Sequence, residues 1–177
     1  MTAHPRRTTH PSAAPGWLRH FIVLFLAATT ALPLSAGPRP DIKGHVVSIH
    51  DGDTLTLLTP EKKQIKIRLE GIDAPELKQA FGTKATLSAL VFDKDVVVND
   101  KGTDRYRRTL GRIHCGRLDV NLAMVQRGMA WRYDKYSQEP ALVVAQAEAT
   151  KAARGLWNDK LPRAPWEWRG APKSPAP

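Results

Sequence analysis

Residues 45–69 read HVVSIHDGDTLTLLTPEKKQIKIRL, and the parsing of this stretch decides the fold. Three β-rich runs, 45–49, 54–58 and 64–69, are separated by Asp51-Gly52 and by Thr59-Pro60-Glu61-Lys62-Lys63. An Asp-Gly pair suits a tight hairpin, so the stretch predicts an antiparallel meander of three strands. Side chains alternate faces along a strand, which puts Asp53 in line with Leu55 and Leu57 on the core-facing side, at the strand end. On the third strand Ile65, Ile67 and Leu69 share one face and Arg68 points the other way.

Working outward, residues 79–91 predict a helix with Leu87, Leu90 and Val91 on one face. Residues 95–99 return to strand, and a further strand is expected near 108–114. Asp119 precedes a short helix at 121–127 stopped by Gly128, and 140–154 form a longer helix stopped by Gly155. Five short strands are too few for a two-sheet sandwich but suit a small closed barrel, which leaves no exposed sheet edge. The expectation is a mainly β, α+β unit: a five-stranded OB-type barrel with three packed helices. An open α+β sheet uses the same elements.

Along the chain, residues 1–36 read as a signal peptide or membrane anchor, 37–42 as a linker, 43–160 as the folded domain and 161–177 as an irregular Pro/Trp-rich tail. Arg6, Arg7 and Arg19 precede an apolar run that ends in Leu34-Ser35-Ala36, the pattern of an export leader. The stretch from Trp17 to Leu34 also approaches a short membrane span. The expected destination is therefore secreted or periplasmic, or anchored facing outward. Against 17 Asp and Glu stand 27 Lys and Arg, a formal charge of +10; loss of residues 1–36 removes three arginines and no acids, leaving +7. Such a field concentrates polyanions. The single cysteine, Cys115, excludes an intramolecular disulfide.

Three segments carry chemistry: Asp51-Gly52-Asp53-Thr54, Arg68 through Glu76, and Asp104-Arg105-Tyr106-Arg107-Arg108. Each alone also reads as a turn or a basic loop. Together they supply carboxylates for a hard cation, a further carboxylate for a water, and guanidinium groups for phosphate. Asp53 and Asp73 are the candidate ligands, and oxygen donors, with a backbone carbonyl such as that of Ala74, favour Ca²⁺ or Mg²⁺ over zinc. Glu76 stands back to orient or deprotonate water. Arg68 and Arg108 are candidate phosphate clamps, Arg68 taken singly also reading as a plain solvated arginine, and Tyr106 offers a face on which a base could stack.

These ordered segments resemble the staphylococcal-nuclease-like, or thermonuclease, family over about residues 43–157, with further similarity in Gly128-Met129-Ala130-Trp131 and Arg154-Gly155-Leu156-Trp157. The resemblance implies an OB-fold barrel with three helices and Ca²⁺-dependent cleavage of single-stranded or locally melted DNA and of RNA, leaving 3′-phosphates. It implies Asp53, Asp73 and the Ala74 carbonyl as calcium ligands, Arg68 and Arg108 as clamps and Glu76 as base. Arg105, Tyr106 and Tyr136 would contact substrate, and a monomer without an obligate protein partner is expected. Two positions depart from the family pattern. Ala74 replaces a Thr, which matters little for a main-chain ligand, and Arg107 stands where a Gly commonly lies. If that position takes positive φ, Arg107 stores about 1 kcal/mol or more. Two rival readings are a non-catalytic OB-fold nucleic-acid-binding module exported to the cell envelope, and an envelope structural protein that binds anionic polymers.

Overall fold

The computed structural model describes residues 37, 39–75 and 82–170. The leader-like stretch, Glu76 and the end of the tail lie outside the described residues.

The expected meander is present as β1 (Ile42–Ile49), β2 (Thr54–Leu58) and β3 (Gln64–Leu69). Past Gly71 the chain forms the two-residue β4 (Ile72–Asp73). Helix α1 (Thr83–Val91) leads to β5 (Asp95–Thr103), β6 (Thr109–Cys115) and the short β7 (Leu118–Asp119). Then come α2 (Val120–Gln126), β8 (Trp131–Arg132), α3 (Pro140–Lys151) and α4 (Pro165–Gly170).

Strand pairing runs β3-β2-β1-β5-β6, and β6 then returns to β3 in parallel, with Ile67 opposite Thr109 and Arg68 opposite Leu110. That pairing closes five strands into a mixed barrel and removes the open-sheet alternative. Val46, Leu55, Leu57, Ile67, Val98 and Ile113 are fully buried, and α1, α2 and α3 add Leu87, Val91, Met124 and Leu142 to the same core. Asn121 fastens α2 to the closing seam. Its amide donates to the carbonyls of Glu70 (2.8 Å) and Gly111 (3.2 Å), and its oxygen accepts the Ile113 N–H (3.1 Å).

Three element ends and the tail differ from expectation: β1 already starts at Ile42, within the stretch expected to be linker, because Ile42 to His45 pair with Asp95 to Val98 of β5. β5 runs on to Thr103 because an irregular register between Asp100 and Gly102 lets the pairing with β6 resume. α3 stops at Lys151, since Ala153 takes φ 48° and the Arg154 N–H turns back to the Ala149 carbonyl. The tail is not wholly irregular: α4 opens with Pro165, whose fixed φ suits a first helical turn, and Trp166 stacks on Tyr133 with centroids 5.1 Å apart. The barrel therefore carries a fourth, short helix besides the three expected.

Candidate active site

The β1–β2 turn and the β3–β4 segment meet at one rim of the barrel. The Asp53 carbonyl accepts the Leu69 N–H at 2.8 Å, and Asp53 Oδ2 accepts the Ala74 N–H at 2.7 Å. Gly52 permits this approach, because a Cβ there would stand 2.7 Å from the Ala74 Cβ and 2.8 Å from the Thr83 Cβ. The two stretches read separately in the sequence thus form one wall.

Arg68 lies between the two acids. Its Nε is 3.1 Å from Asp53 Oδ1 and its Nη2 donates to Asp73 Oδ1 at 2.9 Å. Nη1 donates to the carbonyls of Leu69 and Ile72, both at 2.8 Å. With Asp53 at 5% exposure, Asp73 at 0% and Arg68 at 9%, the reading of Arg68 as a plain solvated arginine fails. Its face of β3, opposite the one that Ile67 and Leu69 line, is covered at this rim. Burial pushes the Asp53 carboxyl up to about 7; Arg68 and the Ala74 N–H oppose that rise, while Asp51 and Asp73 add to it.

The third segment supplies a second guanidinium. Asp104 Oδ1 accepts the N–H groups of Tyr106 and Arg108, both at 2.9 Å, while Oδ2 takes Arg108 Nε and Nη2, both at 2.8 Å. One carboxylate therefore shapes the loop and aims Arg108. Burial works against ionisation of Asp104, but the Arg108 N–H and guanidinium outweigh it and hold its pKa below the ordinary value. From the other side Arg108 Nη1 reaches Thr54 Oγ1 at 3.3 Å, and that hydroxyl donates to Asp53 Oδ1 at 3.0 Å. Arg108, Thr54, Asp53, Arg68 and Asp73 thus form a continuous polar chain. Arg107 has φ 65°, the left-handed conformation anticipated for the position where a Gly is usual.

Arg105 and Arg108 both lie over the exposed Tyr106 ring, at 4.8 and 5.5 Å from its centroid. Tyr136 packs edge-on against Tyr133 at 4.7 Å, and Lys135 lies 5.6 Å from its ring. These contacts hold Tyr136 within the loop after β8, apart from the Arg105–Tyr106 group. Glu76 lies outside the described residues.

Sequence reasoning did not single out Thr54, Asn121 or Arg169. Thr54 stood in the quoted motif but looked like an ordinary strand residue. Asn121 carried only a weak signal, a polar residue on the first turn of a helix. Arg169 carried none; it pairs with Asp73 Oδ2 from α4, 96 residues further along the chain. Among the described residues no three His, Cys, Asp or Glu side chains converge as a ready-made metal cage.

A profile of the staphylococcal nuclease homologue family matches residues 66–159, more than half of the chain. The chain belongs to that family. It is 49% identical over 138 residues to an uncharacterized endonuclease of Haemophilus influenzae, covering 77% of this chain and 78% of the relative. It is 39% identical over 162 residues to a micrococcal nuclease of Shigella flexneri, covering 84% and 92%. Protein ParB of Escherichia coli is 39% identical over 165 residues, covering 85% and 93%. Arg68, Asp73, Ala74 and the loop from Asp104 to Arg108 fall within the span that matches the nuclease family, whereas Asp53 and Arg169 lie on either side of it.

Proposed function

We propose that the protein hydrolyses phosphodiester bonds of DNA and RNA at the barrel rim where Asp53, Arg68, Asp73 and Arg108 meet. As a member of the nuclease family it is an enzyme, a nuclease, and its substrates are nucleic acids. The observation that carries the choice of site is the sharing of one guanidinium by buried carboxylates from two stretches, with a second guanidinium linked through Thr54.

The donor set suits a hard divalent cation. Asp53 and Asp73 set two buried carboxylates against the single guanidinium of Arg68, and oxygen donors of this kind are the ones a hard cation takes. Asp53, Asp73 and the Ala74 carbonyl are the groups that would hold Ca²⁺, which when bound supplies positive charge beside the phosphate. The protein groups do the rest. Arg108 forks onto phosphate oxygens and opposes the charge that grows there in the transition state. Arg68 braces both acids, and meets substrate when a phosphate oxygen replaces one of its present acceptors. Glu76 supplies the carboxylate that orients and deprotonates the attacking water. Water adds to phosphorus as the bond to the 5′-oxygen breaks, giving a 3′-phosphate and a 5′-hydroxyl. The leader-like residues 1–36 support action outside the cytoplasm.

The test is incubation of the protein with single-stranded DNA and with RNA, in Ca²⁺ or in chelator. Cutting in Ca²⁺ alone is expected. Chelator-resistant cutting, or none in Ca²⁺, removes the metal mechanism.

A further inference from the structure

Asp73 is fully buried, and both of its oxygens are held by guanidinium groups: Oδ1 by Arg68, Oδ2 by Arg169. The two arginines differ in kind. Arg68 belongs to the barrel and is itself buried, whereas Arg169 is 45% exposed, sits on the last described turn of the chain and lies beyond the span that matches the family. Its segment rests on the domain through aromatic contacts. Trp166 stacks on Tyr133 and meets Trp131 edge-on at 5.7 Å, while a cleft of about 250 Å³ opens between Pro75 and Trp168. Pro75 directly follows Asp73 and Ala74, and Leu161, Pro162, Arg163 and Trp168 line the same cleft, so the segment borders the acidic wall.

We propose that residues 161–170 form a displaceable cap on the cation site. Arg169 places one positive charge on the Asp73 oxygen that faces away from Arg68. A divalent ion drawn to that same oxygen meets a like charge, so cation entry and docking of the segment oppose one another. Coupling of this kind is reciprocal: a cap that weakens cation binding is itself released by the cation. This inference rests on the cation reading of Asp53 and Asp73.

The experiment is a Ca²⁺ titration of the full chain at low ionic strength, followed by calorimetry and by tryptophan fluorescence, for the unaltered protein, Arg169→Gln and Arg169→Lys. Removing the like charge should tighten Ca²⁺ binding about tenfold in Arg169→Gln, with Arg169→Lys close to the unaltered protein. Saturation with Ca²⁺ should shift the emission of the unaltered protein to the red as Trp166 leaves its packed position against Tyr133 and Trp131, and shift Arg169→Gln less. Equal or weaker binding by Arg169→Gln overturns the cap and leaves Arg169 a structural partner of Asp73. Absence of binding heat from all three proteins instead overturns the cation reading, and the cap with it.

Discussion

Replacing Arg107 by glycine should stabilise the protein. Arg107 holds φ 65° at the tip of the loop that aims Arg108, and its N–H donates to the Asp104 carbonyl at 3.0 Å. A side chain with a Cβ in this left-handed conformation costs about 1–2 kcal/mol. Glycine removes that cost but brings a freer unfolded chain, which returns about 0.4–1 kcal/mol. The Arg107 side chain is exposed, and the loop is shaped by the Asp104 carboxylate and backbone N–H groups, which the substitution keeps. The net gain should be about 0.5–1 kcal/mol, a rise of roughly 1–4 °C in Tm for a domain of this size. Urea titration and thermal melting, with an unchanged m-value, read it directly. Turnover should stay the same, because Asp104 still holds Arg108 by the same three bonds. A loss of stability in Arg107→Gly would mean instead that the arginine side chain contributes more than its backbone strain takes away.

Arg68→Ala should lose about 3–5 kcal/mol in urea, because it leaves Asp53 and Asp73 buried without their shared partner; a loss under about 1 kcal/mol would show that the two acids are neutral when the arginine is gone. Asn121→Ala should cost about 1–3 kcal/mol by stripping partners from Ile113, Glu70 and Gly111 at the seam, read from the same titration. Glu76→Gln should lower turnover about 100-fold with substrate binding nearly intact, and equal losses in both would remove it from the role of base. For Asp104, whose folded pKa is depressed, the stabilising contribution is complete above its ordinary value of 3.8 and disappears as pH falls through the lower folded value. Asp104→Asn should therefore erase part of the acid sensitivity of the melting temperature below that pH, and an unchanged profile would count against the bonds drawn to Arg108.

The barrel was legible because its signals are local. The alternation in residues 54–58 and 64–69 and the Asp-Gly turn fix strands and register within a few residues, and β2 and β3 fall where the pattern placed them. The acids and arginines were legible as residue types in a family order, and the strand alternation put Asp53 on the core side at the rim. Alternation could not say that the opposite face was covered too, so Arg68 looked half free when it is buried. The helix at 165–170 was hidden for a different reason. Six residues with proline, glycine and two tryptophans have little helical preference of their own, and what orders them is packing of Trp166 on Tyr133. Nothing local in the sequence announces such a contact, and the pairing of Arg169 with Asp73 depends on it.

The parallel pairing of β3 with β6 also has a consequence for the order in which the protein can be made. A nascent chain that has emerged only as far as β5 has its meander and its first acidic wall, but the outer edge of β3 stays unpaired until Thr109 to Gly111 arrive to meet Ile67 to Leu69. Closure of such a distant loop delays folding more than any hairpin does. The two acids come together early and their second guanidinium late, so catalytic competence should be among the last properties the chain acquires, after synthesis has passed the strand that seals it.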